Sequence, residues 1–376
     1  MLARIIYCLA AVLSLSVSFP LLAAEPALDA KSDYRAERSN PVTYDIELAA
    51  IVTAPYHTHT LKVWLPIPTS DFAQEVTPGE ISVFPSDVKP QIAVESVYGN
   101  KFAYFEFNDP QGAQIIRHRF RVRAYELHWK IDPAKVTEHS MWPDSFAAYL
   151  KGDQTVVVNG AIESQAKTIV GSERNPADNL SLIMQWMHGT MKYDHGQASL
   201  AASSLHALQT QTGHCSDYHG LCSAFGRALG YPTRVTYGLN TFPKNSPSHC
   251  KLEVFLPPYG WVSFDVSETQ RLMQAIDKDS QLMPAQRKEL QAAAFDRLKQ
   301  GYRDNTWFLQ TRGTGYDLVP PAKQKVNVVR TIYAEADGVA LPEPDPADPK
   351  QTKLAWQIGL KVTADKEVKY PFSYGK

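Results

Sequence analysis

The sequence predicts an α+β fold, and three observations carry that prediction. Residues 41–130 read mostly as strands, helical periodicity sets in only near Asp144, and residues 213–265 read as one helix followed by three strands. Composition agrees with a folded protein. The 376 residues are 44% hydrophobic and 20% charged, enough apolar surface for a substantial core, which excludes a disordered tail and a small disulfide-stapled scaffold. The 38 basic and 39 acidic side chains nearly cancel, leaving no electrostatic footprint for a polyanion, so no nucleic-acid partner is expected.

In chain order, residues 1–24 place Arg4 ahead of an apolar run from Ile5 to Phe19, then Pro20 and the small pair Ala23 and Ala24. This is the pattern of a cleavable secretory signal, and the run is shorter than the roughly 20 residues a membrane span needs. The expectation is a secreted or periplasmic chain with no stable membrane span after cleavage. Three cysteines would then remain, Cys215, Cys222 and Cys250, an odd number that leaves at least one thiol unpaired within the chain. Residues 25–40 are polar and aperiodic and are expected to form an exposed linker.

Strand formers crowd Val42 to Thr53 and Thr60 to Pro66, and Phe102, Tyr104, Phe105 and Phe107 fill a third run before Asn108, Asp109 and Pro110. From Ile116 to Tyr125, four arginines at 117, 119, 121 and 123 alternate with Ile116, His118, Phe120, Val122 and Ala124. That alternation predicts a half-solvated antiparallel strand with its basic row in water. His57 and His59 read as solvated loop residues. Asn175 followed by Pro176 predicts a capped helix whose stripe is Leu180, Ile183, Met184, Met187 and Met191, with the methionines serving packing. Pro284 to Lys299 predicts another helix, and Pro342, Pro344, Pro346 and Pro349 a rigid connector before a strand around Leu354 to Val362.

The chemistry concentrates in residues 213–265. Ser216 to Leu229 predicts a helix with Cys215 at its start, where the helix dipole and unpaired backbone amides favour a thiolate. Gly230 and Pro232 end it, and strands follow over Arg234–Leu239, His249–Leu256 and Trp261–Val266. A cysteine on a helix tip facing a histidine and an aspartate on adjacent strands has the parts of a nucleophile, its base and the base's orienter. Cys222 and Cys250 read as core fillers, Cys250 pointing away from His249 by strand alternation, and Asp217 as a cap of the first helical turn.

These residues resemble the transglutaminase-like superfamily, whose core carries Gly-x-Cys-x-Asp, Arg-Ala-x-Gly-x-Pro-x-Arg, a histidine strand and Gly-Trp-Val-x-x-Asp. The matching positions are Gly213, Cys215 and Asp217; Arg227, Ala228, Gly230, Pro232 and Arg234; His249; and Gly260, Trp261, Val262 and Asp265. The resemblance implies a papain-like core at 140–270, with Cys215 as nucleophile, His249 as general base and acid, and Asp265 as orienter. It also implies an antiparallel β-sandwich at 41–130 ahead of the core, and a helix plus β-rich extension over 271–376. No cofactor and no metal are implied, and the partner is a peptide or protein substrate. Lys251 departs from the tryptophan many relatives carry there. Sharing a strand face with His249, it is expected to wet the substrate channel, so that hydrolysis prevails over amine transfer.

Three other readings stand beside that one: a transglutaminase proper that cross-links proteins, a catalytically idle peptide-binding module, and a zinc module. The last would draw on His214, Cys215, His219, Cys222, His249 and Cys250, although their spacing lacks a tight Cys-x2-Cys pair.

Overall fold

Alternation along β1 (Glu37–Thr53) buries Tyr44, Ile46, Leu48, Ala50 and Val52 on one face, and β2 (Thr60–Pro66) buries Leu61, Val63 and Leu65 in the same core. This computed structural model describes residues 28–172, 174–243, 247–345 and 355–374. The signal expected at 1–24, with Pro346, Pro349 and Leu354 near the C-terminal end, lies outside the described residues. Strand β3 (Lys101–Asn108) pairs with β2, and β4 (Ala113–His128) pairs with β1, both antiparallel. The two sheets enclose a shared apolar layer that contains Phe105, Phe107, Phe120 and Val122. On the outer face Arg121 lies opposite Asp45 and Arg119 opposite Glu47, at 2.8 and 3.0 Å, so the basic row is answered across the ladder by β1.

Two helices introduce the second half. Helix α1 (Gly160–Val170) starts at Asn159, and α2 (Pro176–Thr190) at Asn175, whose side chain accepts the Asp178 amide at 3.0 Å. Leu180, Ile183, Met184 and Met187 bury the predicted stripe. Helix α3 (Cys215–Ala228) is buried on nearly every side and lies against an antiparallel sheet. That sheet consists of β5 (Thr233–Asn240), β6 (Ser248–Leu256), β7 (Gly260–Phe264) and β8 (Trp307–Arg312), in the order β7, β6, β5, β8. Helix α4 (Val266–Lys278) follows β7 directly, and α5 (Pro284–Lys299) packs on α4.

The architecture is α+β, with antiparallel sheets ahead of a helix-on-sheet core. One sequence expectation differs from it. Residues 28–40 are not an exposed linker: Ala30 and Tyr34 are buried against the core, Trp261 donates its indole N–H to the Ala30 carbonyl at 2.9 Å, and Tyr34 donates to Glu253 at 2.6 Å. Polar composition concealed a segment anchored by two long-range side-chain bonds. The helix and strands expected after the core are present, and the strands join the earlier sheets. Strand β9 (Tyr333–Ala336) extends the β2 sheet and β10 (Trp356–Ala364) pairs along β1, so both complete the N-terminal sheets, while β8 joins the core sheet. Strand pairing links residues some 300 apart in sequence, and local pattern carries no record of a partner at that distance.

Among the described residues, no helix is long and apolar enough to cross a membrane.

Candidate functional site

The site begins at a glycine. Gly213 has φ +151°, and a Cβ built there would lie 2.6 Å from Asp217 Oδ2, so only glycine lets the chain enter α3 at this angle. The Asp217 carboxylate, fully buried, accepts the amide of His214 at 3.1 Å and bonds with Ser199. Against burial, which would push it up, the neighbouring His214 holds the Asp217 carboxyl below its ordinary range. Asp217 thus caps the helix and pins the 199–202 loop to it. Cys215 becomes the first residue of α3, and Asp217 provides the first amide there that bonds back to His214.

Strands β5, β6 and β7 supply the partners. His249 opens β6 opposite Gly238, and Asp265 directly follows β7. His249 Nε2 lies 2.7 Å from Asp265 Oδ2, and the His249 imidazole shares a side-chain hydrogen bond with the Cys215 thiol. All three groups are buried, with Cys215 the most accessible at 9%. A hydrogen bond from the Cys250 thiol, together with the bond and charge of His249, lowers the Cys215 thiol well below its usual range against the opposing effect of burial. Burial would lower His249, but the charge and hydrogen bond of Asp265 lift it to about 9. Burial would raise Asp265, and the positive charges of His249 and Lys251 instead hold it well down. These shifts all favour a thiolate beside an imidazolium beside a carboxylate.

Several participants were not legible as such in the sequence. His219, one turn beyond Cys215, is fully buried; its Nε2 accepts the Val266 amide at 3.1 Å, so the neutral ring carries its proton on Nδ1, which lies 3.4 Å from Cys250 Sγ. Burial pushes His219 down to about 4. Cys250 is buried as expected, and it shares an apolar cluster with Cys215, Val235 and Tyr237, which the core-filler reading did not anticipate. Strand alternation turns Cys250 toward α3, and Cys215 occupies the first turn of that helix. Cys222 sits in a different cluster with Leu221 and Phe225, its thiol raised by burial, and all three cysteines are free.

Lys251 overturns an expectation. It is only 1% exposed and does not face a channel; its Nζ lies 2.6 Å from Asp265 Oδ2 and 2.7 Å from Asp304 Oδ2. Sharing a strand face with His249 placed it behind the imidazole, where two buried carboxylates require a counter-charge. Arg234 also lies away from the nucleophile, bonded to Glu253 at 2.7 Å and seated 4.0 Å over the Trp261 ring. Arg330 borders the helix start: its guanidinium reaches the Leu200 carbonyl, Ser216 Oγ at 3.3 Å and Glu343 at 2.7 Å. Beside it lies a cavity of about 630 Å³ whose wall includes Ser199, Leu200, Lys325, Asn327, Val328 and Glu343. Among the described residues, no group of three or more His, Cys, Asp or Glu side chains is arranged to hold a metal ion.

Residues 163–266 match the transglutaminase-like superfamily. An uncharacterized protein of Haemophilus influenzae is 24% identical over 226 residues, covering 53% of this chain and 59% of that protein, so the match spans under two thirds of its curated relative. A solved structure from Cytophaga hutchinsonii, described as a candidate cysteine protease, aligns with a TM-score of 0.58 at 12% identity, covering 90% of this chain and 96% of that one. The periplasmic domain of TgpA from Pseudomonas aeruginosa aligns over 66% of this chain and 92% of its own at 14% identity, with a TM-score of 0.32. Of the two structures, the first shows a shared fold.

Proposed function

With residues 163–266 a transglutaminase-like core, we propose that this protein is an exported cysteine enzyme that opens peptide or amide bonds through a thioester on Cys215. The observation that carries the reading is the chain of contacts from Asp265 through His249 to Cys215 at a helix start. The Cys215 thiolate attacks the carbonyl carbon, and the oxyanion that forms meets backbone amides of the first turn of α3. His249, held protonated by the bond from its Nε2 to Asp265, delivers the proton on its other ring nitrogen, Nδ1, to the departing amine. A thioester remains, with His249 neutral and ready to take a proton from the incoming acceptor.

Water as acceptor completes hydrolysis, and a primary amine completes transfer. Lys251 no longer supports hydrolysis, because it does not reach a channel. What supports it is the set of polar side chains Gln154, Ser199, Lys325, Asn327 and Glu343 in the wall of the cavity beside Arg330, a lining that admits water. Hydrolysis as the main route is accordingly part of the proposal, as are export and a peptide or protein substrate.

Iodoacetamide labelling with peptide mapping tests the nucleophile. Cys215 is expected to react first near neutral pH, ahead of Cys222 and Cys250. Labelling of Cys222 first, or three equally slow thiols, would remove the catalytic reading and leave a peptide-binding module; stoichiometric zinc lost on Cys215→Ala would point to the metal module. A glutamine peptide incubated with excess primary amine then separates the acceptors: ammonia release exceeding amine incorporation is expected, and the reverse would make the protein a transglutaminase proper.

A further inference from the structure

The carboxylate that backs His249 is itself held from behind. Lys251 Nζ bridges Asp265 Oδ2 and Asp304 Oδ2 at 2.6 and 2.7 Å, and Asp304 is anchored through its other oxygen by the amide of Thr306 at 3.0 Å and by the Thr306 hydroxyl. Lys251 and Asp304 are 1% and 2% exposed. A buried ammonium between two buried carboxylates is costly to desolvate, and a pair of apolar residues of similar size would be at least as stable there. Its position, on the same oxygen that accepts the His249 bond, points to a role in the chemistry.

We infer that Lys251 and Asp304 are positioning residues that extend the Cys215, His249 and Asp265 chain and set the pH at which Cys215 ionises. The inference rests on the reading of Cys215 as nucleophile. Lys251 holds Asp265 in the rotamer that meets the imidazole, and its charge offsets part of the carboxylate's field. The potential at Cys215 is then less negative, and the thiolate forms at lower pH. Asp304 tempers Lys251 in turn.

Other charged and titratable groups surround this chain. Helix α3 presents His214, Cys215 and His219, and β6 presents Cys250. Helix α4 presents Glu268, already bonded to Arg271 and to the Tyr370 hydroxyl. Arg330 reaches Ser216 beside Cys215, and Tyr193 and Tyr237 pack in the cluster that holds Cys215. None of these bonds Lys251, whose ammonium otherwise rests near the rings of Trp307 and Phe372.

The test is the pH dependence of Cys215 alkylation by iodoacetamide in the full chain, with each variant's fold checked by its thermal transition. Asp304→Asn keeps the shape and removes one negative charge, leaving Lys251 to act more fully on Asp265; the Cys215 inflection should move down by roughly half a pH unit or more. Lys251→Met combined with Asp304→Asn removes the nearer positive charge, and the inflection should move up by a similar amount. Opposite shifts at one cluster are not produced by loosened packing. Two folded variants that leave the inflection in place, or move it the same way, would overturn the inference while the nucleophile assignment stands. If the double variant does not fold, Asp304→Asn alone decides: no downward shift overturns it. A wild-type chain in which Cys215 is not the first thiol labelled would instead remove the underlying reading.

Discussion

Asp265 accepts the Glu268 amide on Oδ1, at 3.1 Å, while its other oxygen faces His249. One side chain therefore caps helix α4 and orients the imidazole, with a separate oxygen for each task.

That division makes Asp265→Asn informative. Asparagine is as good a helix cap as aspartate, so the amide oxygen can still receive Glu268, while its NH2 meets Lys251 and His249 where a carboxylate oxygen stood and lowers stability. It carries no charge to hold His249 protonated, and turnover on a cleavable substrate should fall by roughly three to four orders of magnitude. The check is steady-state kinetics at a temperature where a cooperative thermal transition shows the variant folded; unchanged turnover would make Asp265 a structural cap alone.

The two remaining cysteines should separate by substitution. Cys250→Ala removes the thiol that donates to Cys215, so the pH profile of Cys215 labelling should move upward. Cys222→Ala touches a different cluster and should leave that profile in place, at a stability cost of about 1–2 kcal/mol from the lost sulfur. Matched labelling curves and denaturant titrations measure both.

Acid should destabilise the fold in a definite window. His118 is buried on β4 against Phe120, and burial lowers it to about 4, as it does His219. A histidine whose folded pKa is depressed binds protons more weakly than in the unfolded chain. The neutral-ring contribution is therefore fully present above about 6.5 and is lost as pH falls toward 4. His118→Leu, which keeps the site apolar, should reduce the fall in melting temperature across that window; an equal fall in both proteins would assign the acid sensitivity elsewhere.

Glu253→Gln should cost about 3 kcal/mol, because it leaves the buried Arg234 guanidinium without its carboxylate. The labelling profile of Cys215 should stay where it is, since Arg234 and Glu253 lie on the Trp261 side of the sheet. Chemical denaturation gives the first number and iodoacetamide kinetics the second.

Much of the local structure was legible in the residues. Asn175 with Pro176 marked the start of α2, Gly230 with Pro232 marked the end of α3, and the alternation around His118 marked which side of β4 is buried. The strand expected over Trp261–Val266 ends at Phe264 and helix α4 follows it, which the expectation lacked, although Asp265 followed three residues later by Glu268 is a helix-start signal that marks it. His219 stood out in the sequence only as one member of the His and Cys cluster weighed for zinc, one turn from Cys215, and nothing there pointed to its bond with the Val266 amide.

The sequence by itself determined that Cys215 stands at a helix start and that His249 and Lys251 share a strand face. Each follows from spacing within a few residues, where backbone geometry is periodic and side-chain direction is set by position. Only the tertiary structure decided what those side chains meet. Lys251 faces Asp304, 53 residues on, rather than a channel, and Tyr34 reaches Glu253, 219 residues away. Such contacts arise because a buried charge must find a counter-charge wherever the fold brings one close, and that meeting depends on how sheets and helices stack, which no local pattern encodes.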